Sequence, residues 1–170
     1  YMGGMADHSD FEVQDLTEGE LGEKRKAKAF SSTEFANEAI DFITRADVNT
    51  PFFLYVSFLA PHDPRNPPEE YRQHYYDQRP PLPPNYRPQH PFLNAPQATM
   101  GRDESLAPWP RTKEVISDQL SEYYGLVTHL DEQVGRVLAA LDKSPHADNT
   151  IVVYTADHGL GMGSHGLLGK

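Results

Sequence analysis

Two short apolar runs most constrain what this chain can fold into. They cover residues 52–58 (FFLYVSF) and 150–155 (TIVVYT), and both are rich in β-branched and aromatic residues. Runs of this kind predict strands buried on both faces, as in a parallel sheet. With a helix between them, they indicate a right-handed crossover and an α/β fold. Two strands are too few to stand alone, so we expect further strands in sequence beyond this chain.

Helical spacing accompanies each run. The first helix is predicted to begin near Ser32, with Ser32 or Thr33 as its cap and Glu34 in its first turn. Its apolar residues are Phe35, Ala39, Phe42, Ile43 and Ala46. The second helix is predicted from a Thr112 cap to about Asp142. Its predicted buried stripe consists of Leu120, Tyr123, Val127, Leu130, Val134, Val137 and Leu141.

A proline-rich segment separates these two parts. Thirteen of the fifteen prolines lie between Pro61 and Pro110, and proline removes backbone donors, so little regular structure is expected there. Its tyrosines and its tryptophan favour an ordered excursion packed on the domain. We therefore divide one partial domain, residues 1–170, into helix and strand (30–60), excursion (61–111), and helix, strand and loop (112–170).

Composition excludes several functional classes. The chain has no cysteine, which excludes a disulfide framework, a thiolate zinc site and a cysteine nucleophile within these 170 residues. A formal charge of −10 argues against a broad nucleic-acid surface. No apolar run approaches the ~18 residues of a membrane span. We therefore expect no nucleic-acid partner and no membrane-spanning segment.

Polar residues follow both predicted strands. His62 lies four residues after Phe58, and Asp157 and His158 follow Thr155 directly. Because carboxyl ends of parallel strands share one edge of a sheet, these residues are expected to meet there. Asp157 and His158 offer an oxygen and a nitrogen to a cation, although such pairs also cap turns. His62, held stiffly in a proline-rich turn, suits an acid, a base or an anion ligand, or else caps the strand.

A glycine-rich loop follows His158 and ends at Lys170. Its glycines fit neither a phosphate-binding P-loop nor a dinucleotide fingerprint. Two interpretations stay open: Lys170 places an ammonium group on a bound oxyanion, or the loop is mobile and Lys170 is plain surface. His165 within the loop is equally open.

Three segments together resemble the sulfatase family of the alkaline-phosphatase-like superfamily. They are PFFLYVSFLAPHDP (51–64), EYYGLVTHLDEQVGRVLAALD (122–142) and NTIVVYTADHGLGMGSHGLLGK (149–170). The third is the most specific, because it combines a strand, Asp-His, a glycine-rich loop with His-Gly, and a lysine. The resemblance implies part of an α/β/α sandwich with a mostly parallel sheet.

The resemblance also implies site roles and a reaction. Asp157 and His158 match two ligands of a divalent cation, usually Ca²⁺, with Mg²⁺ as the alternative. Lys170 matches the lysine that contacts the sulfate, and His62 the histidine that contacts the sulfate or helps the leaving group. His165 would line the substrate pocket. The implied reaction is hydrolysis of a sulfate monoester to an alcohol and sulfate.

One departure from the family pattern is decisive. The family's nucleophile is a formylglycine made in a C/S-x-P-x-R motif, and no such motif occurs here. We expect the motif, and the paired aspartates of the cation site, upstream of Tyr1; this excerpt alone should then be inactive. The other interpretation is a degenerate member.

Substrate and location are expectations from the same resemblance. The segment QHPFLNAP…RDESLAPWPRT looks like bacterial sulfatases that act on polysaccharides or related sugars, which favours a small-molecule or polysaccharide sulfate ester. Family habit suggests the periplasm or the cell exterior. The rival functions are a phosphodiesterase or phosphonate monoester hydrolase of the same superfamily, and a non-catalytic sugar-binding module.

Overall fold

The computed structural model describes residues 7–93 and 101–170. Its helices are α1 (Ser31–Arg45), α2 (Glu69–Asp77) and α3 (Lys113–Asp142), with short 3₁₀ helices at Asp103–Leu106 and Ala147–Asn149. Its strands are β1 (Glu12–Val13), β2 (Leu16–Thr17), β3 (Glu20–Leu21) and β4 (Arg25–Lys26). β1 pairs with β4 and β2 with β3, both antiparallel.

Helix α3 is the element on which α1 and α2 pack. It begins at the predicted cap, where Thr112 Oγ1 accepts a hydrogen bond from the Val115 N–H at 3.3 Å. Its buried face differs from the predicted stripe, since Val127 is 37% exposed. The apolar residues buried on that face are Ile116, Leu120, Leu126, Leu130 and Leu141.

The predicted cap of α1 is wrong. The helix begins at Ser31 and its N-cap is Phe30, with no side-chain cap hydrogen bond. The hydroxyl groups near this end contact other parts of the chain instead: Ser31 Oγ lies 2.7 Å from His8 Nδ1, and Thr33 Oγ1 lies 3.1 Å from His129 Nε2. Tertiary hydrogen bonds have therefore replaced the local capping that the sequence pattern predicts.

The excursion contains helix α2, which includes no proline but is flanked by proline-containing segments on both sides. The tyrosines of α2 hold it on α3: Tyr76 donates to Glu122 at 2.9 Å and Tyr75 Oη lies 2.7 Å from Thr128 Oγ1. Gly125 lets the two segments approach, because a Cβ there would lie 2.8 Å from Pro67. Residues 94–100 of the excursion fall outside the described part.

The two predicted strands, residues 52–58 and 150–155, are not strands in the part of the chain that the structure describes. A ladder needs a neighbouring strand, and the described ladders are the two antiparallel pairs near the amino end. Apolar side chains of both segments stay uncovered, with Phe53 88% and Ile151 91% exposed. The parallel sheet therefore stays a prediction.

Two buried clusters position the segments of interest. One packs Met162 and Leu168 of the glycine-rich loop on Ile116 and Leu120 of α3. The other packs Ala60, two residues before His62, on Leu126 and Leu130 of the same helix. Within residues 7–93 and 101–170, no helix is long and apolar enough to cross a membrane.

Candidate active site

The glycine-rich loop folds back on itself through its own backbone. Gly161 N–H donates to the Gly169 carbonyl at 2.7 Å, and Gly163 N–H donates to the Leu167 carbonyl at 2.7 Å. Gly166 has a φ of +79°, and a Cβ there would lie 2.3 Å from the backbone of Gln89. Glycine is required at this position because both the conformation and the space exclude a side chain.

A buried ion pair anchors the end of this loop. Glu104, in the 3₁₀ helix, accepts hydrogen bonds from the Leu168 and Gly169 N–H groups at 3.0 and 2.8 Å. Arg111 lies 2.8 Å from the Glu104 carboxylate and is fully buried. Its guanidinium also donates to the Gly166 carbonyl at 3.1 Å and stacks 3.9 Å from the centre of the Trp109 ring. Burial lowers the pKa of Arg111, and the charge of Glu104 offsets part of this effect.

Asp157, His158 and Lys170 lie close enough to interact. The His158 N–H donates to Asp157 Oδ1 at 3.0 Å, and His158 Nε2 lies 3.4 Å from Asp157 Oδ2. The backbone hydrogen bond from His158 lowers the pKa of Asp157 most, and the charges of His158 and Lys170 lower it further. The Asp157 side chain is 85% exposed, so water solvates it and screens these charges.

His62 lies in a turn that other segments hold. Its Nδ1 lies 3.0 Å from the Asp63 carbonyl and its Nε2 lies 3.2 Å from Arg102 Nη2. A carbonyl only accepts, so Nδ1 carries the proton and Nε2 accepts from the guanidinium. Buried His8 lies 3.0 Å from the His62 carbonyl through Nε2, which therefore donates. Rigidity at His62 thus comes from contacts with His8 and Arg102, in addition to the prolines.

A second buried ion pair supports the same turn. Arg65 Nε lies 2.9 Å from Asp63 Oδ1, and the two side chains are 4% and 10% exposed. Arg65 Nη1 donates to Gln119 Oε1 of α3 at 2.7 Å. Burial lowers the pKa of Arg65, while the charge of Asp63 raises it. This pair fixes the residues that follow His62 to the surface of α3.

Residues 102–104 connect the His62 turn to the end of the glycine-rich loop. Arg102 contacts His62, while Asp103 packs on Gly169, where an added Cβ would lie 2.5 Å from the Asp103 Cβ. Glu104 then binds the Gly169 N–H. A continuous chain of contacts therefore runs from His62 to the residue before Lys170, and the charge of Lys170 acts on Asp157.

His165 faces another part of the chain. Its Nε2 accepts from Asn85 Nδ2 at 2.8 Å, and its N–H donates to the Asn85 carbonyl at 3.1 Å. These contacts join the loop to the excursion. A role of His165 in lining a substrate pocket stays a prediction.

The donor set for a cation is partial. Asp157 offers a carboxylate and His158 an imidazole, whereas Ca²⁺ takes about six to eight mostly oxygen ligands. Within residues 7–93 and 101–170, no group of three or more His, Cys, Asp or Glu side chains is placed to hold a metal ion. These two residues suit part of a hard-cation site, and further oxygen ligands would have to join them.

The chain belongs to the sulfatase family, because the family model described as Sulfatase matches residues 4–170. It is 36% identical over 134 residues to the arylsulfatase of Clostridium perfringens, covering 76% of this chain and 26% of that protein. It is 32% identical over 162 residues to the multifunctional alkaline phosphatase superfamily protein PehA of Trinickia caryophylli, covering 86% and 30%. The chain thus spans less than a third of either relative.

A solved structure supports the fold. The structure of BT4656 in complex with its substrate D-glucosamine-2-N,6-O-disulfate superposes with a TM-score of 0.70 and 22% sequence identity. The match covers 98% of this chain and 44% of that one. At this identity the likeness concerns the fold, and the sulfated sugar is a ligand of BT4656.

Sequence patterns assign no role to several residues of this site. His8 is a single polar residue in an irregular segment, whereas Arg102, Glu104 and Arg111 lie in RDESLAPWPRT (102–112), whose likeness to bacterial sulfatases gives no role to any one of them. A run of apolar positions predicts a helix or strand, whereas one carboxylate that binds two distant amides leaves no periodic trace. Arg111 also lies next to the Thr112 cap, where the start of α3 fixes its backbone.

Proposed function

We propose that the whole protein hydrolyses sulfate monoesters to an alcohol and inorganic sulfate. We also propose that this chain forms part of an alkaline-phosphatase-like α/β/α sandwich with a mostly parallel sheet. The observation that carries the proposal is the family match over residues 4–170. It is supported by the chain of contacts from His62 to the loop end at Lys170. The sulfated sugar bound by BT4656 favours a carbohydrate sulfate as the substrate class.

In this proposal the cationic side chains bind the ester. Lys170 places an ammonium on a sulfate oxygen, where charge grows in the transition state. The chain as a whole carries −10, so anion binding depends on a local cation such as Lys170. His165 would line the pocket of the attached alcohol group.

His62 would manage a proton at Nε2. In the structure this nitrogen accepts from Arg102, so the neutral ring has a lone pair at that atom. Once protonated, Nε2 would donate to a sulfate oxygen or to the departing alcohol oxygen. His8 holds the His62 carbonyl and the Asp63 carbonyl holds Nδ1, so Nε2, which accepts from Arg102 in the structure, is the ring nitrogen that would take part in this exchange.

Asp157 and His158 would supply two ligands of a divalent cation, with Ca²⁺ first and Mg²⁺ as the alternative. Bound there, the cation would neutralise charge on the sulfate group. Like any exposed aspartate, Asp157 is ionised at neutral pH, as a ligand must be, and the backbone hydrogen bond from His158 lowers its pKa further. The C/S-x-P-x-R motif that makes the family's formylglycine is absent from these 170 residues. The nucleophile is therefore proposed to lie in other parts of the whole protein, which is expected in the periplasm or outside the cell.

The similarity to PehA favours a second candidate. That relative is a multifunctional member of the alkaline phosphatase superfamily, which suggests phosphodiester or phosphonate monoester hydrolysis. Cation and lysine serve a phosphoryl group as well as a sulfuryl group, so the pocket around the ester decides between them.

Paired kinetics on the full-length protein test the choice. The measurement is kcat/KM with 4-nitrophenyl sulfate, 4-nitrophenyl phosphate and bis(4-nitrophenyl) phosphate under the same conditions. We expect the sulfate to be preferred by at least about a hundredfold, equivalent to about 2.7 kcal/mol of differential transition-state binding. A preference of that size for either phosphate would select the second candidate. Absence of turnover on all three, with retained binding of sulfated sugars, would indicate a binding module.

A further inference from the structure

The contacts of Glu104 and Arg111 converge on one short stretch of backbone. Glu104 accepts from two consecutive N–H groups, those of Leu168 and Gly169. Arg111 donates to the Gly166 carbonyl at 3.1 Å and to the Glu104 carbonyl at 2.6 Å. The pair therefore contacts both the donors and an acceptor of the turn that ends one residue before Lys170.

Charge and burial make the ion pair between Glu104 and Arg111 hard to break. Arg111 is fully buried, and its guanidinium lies 2.8 Å from the Glu104 carboxylate. The stacking of Arg111 on Trp109 fixes the plane of the guanidinium. Removal of either charge would leave the other buried without its partner, which is strongly unfavourable.

The turn itself has little freedom to move apart from this pair. Leu168 is fully buried against α3, so its side chain fixes the middle of the stretch. Gly169 packs directly on Asp103 and has no side chain to hold it in place. Two hydrogen bonds hold its backbone: its carbonyl accepts from the Gly161 N–H at 2.7 Å within the loop, and its N–H donates to Glu104. The second bond ties the end of the loop to a segment outside it and so constrains the direction in which the chain continues to Lys170.

We propose that Glu104 and Arg111 are positioning residues that clamp the Gly166–Gly169 turn and so fix where the Lys170 ammonium lies. The functional part rests on the role proposed for Lys170 in contacting sulfate. Glu104 touches no substrate in this proposal; it acts through the backbone and through Lys170.

Glu122 provides a matched control. Its side chain is 12% exposed, close to the 14% of Glu104, and it also pairs with an arginine, Arg72, at 2.8 Å. It lies on α3, faces α2 and accepts from Tyr76, away from the glycine-rich loop. Glu122→Gln therefore removes an equivalent charge without touching the turn.

The test uses the full-length protein with Glu104→Gln, Arg111→Lys and Glu122→Gln, each alone and combined with Lys170→Ala. Hydrogen exchange of the Leu168 and Gly169 amides reads the turn directly, and exchange in α3 shows that the fold is intact. We expect at least about tenfold faster exchange and about tenfold lower kcat for the first two variants, as for loss of other groups that orient a ligand. Glu122→Gln should change neither the turn amides nor kcat.

The double variants separate positioning from general stability. If Glu104 acts through Lys170, adding Glu104→Gln to Lys170→Ala should change kcat by less than about twofold. An equal fall in both backgrounds, or unchanged exchange in both Glu104→Gln and Arg111→Lys, would overturn the proposal. If Lys170→Ala alone leaves turnover intact, the role of Lys170 in sulfate contact is wrong, and the exchange data still decide whether the clamp holds the turn.

Discussion

The glycine-rich loop and the segment that leads into it are held very differently. Residues 161–169 are fixed by backbone hydrogen bonds, two buried side chains and a buried ion pair. Residues 151–158 are exposed, and the described contacts of Asp157 are with its neighbour His158 and the charge of Lys170. The side of the site that would bind an anion is thus built within this chain, whereas the side that would bind a cation needs further partners.

Removal of the Lys170 ammonium should have the largest effect. In the full-length protein, Lys170→Ala is expected to cost about 2–4 kcal/mol of transition-state stabilisation, about 30- to 1,000-fold in kcat/KM. Steady-state kinetics with an aryl sulfate measure this. Lys143→Ala, at the exposed end of α3, is the control and should have no effect. A loss of kcat/KM below about threefold would show that Lys170 does not stabilise the transition state.

Gly166→Ala tests whether the loop is as tightly held as its contacts indicate. The added Cβ meets the Gln89 backbone at 2.3 Å in a left-handed conformation, so we expect a loss of about 2–3 kcal/mol of stability. Gly135→Ala in α3 is the matched control, since a Cβ there has nothing within 4 Å and should stabilise by up to about 1 kcal/mol. Denaturant midpoints compare the two. Equal midpoints for Gly166→Ala and Gly135→Ala would show that the loop backbone shifts to accommodate the added Cβ without a loss of stability.

Substitution of the exposed residues Asp157 and His158 should change the metal content of the protein rather than its stability. Asp157→Ala and His158→Ala are each expected to lower divalent-cation affinity of the full-length protein by at least about tenfold, with turnover falling in parallel. Elemental analysis after dialysis against Ca²⁺ of known concentration measures the occupancy. Unchanged Ca²⁺ content in both variants would show that the pair is not a ligand set.

The smallest expected effect concerns a third region, the junction of α1 and α3. Burial lowers the pKa of His129, the charges of His8 and Arg136 lower it further, and Glu132 raises it. The unfolded chain then binds more protons below about pH 6.5, so stability should fall as the pH drops from there to the folded pKa and then level off. His129→Gln should flatten this dependence, while His74→Gln on the exposed face of α2 should keep it. Urea unfolding at a series of pH values measures this dependence. The same slope of unfolding free energy against pH in the wild type and in His129→Gln would contradict the role of His129.

The sequence predicts the elements that depend on local periodicity. Helix α3 follows from the Thr112 cap and from apolar residues at helical spacing, and α1 follows from the same spacing. The start of α1 is displaced because Ser31 and Thr33 bond to distant histidines. Helix α2 was missed because prolines dominate the excursion around it, although residues 69–77 contain none.

Tertiary pairing and single-residue contacts lie beyond such patterns. The runs 52–58 and 150–155 have the composition of buried strands, but strand formation depends on neighbours that the described residues do not supply. Glu104, Arg111 and His8 each act on backbone far away in sequence. Asp157 and His158 are candidates because they follow a strand-like run, and Lys170 is a candidate because it ends the glycine-rich loop and matches the family's lysine. Their roles stay predictions, and the contacts of Glu104 and Arg111 with this loop leave no such pattern.

A crystal structure of the full-length protein with inorganic sulfate shows whether Lys170 and His62 bind the same anion. We expect one sulfate whose oxygens lie within about 3 Å of both Lys170 Nζ and His62 Nε2. Sulfate bound at another site, with Lys170 Nζ and His62 Nε2 too far apart to contact one anion, would contradict this expectation.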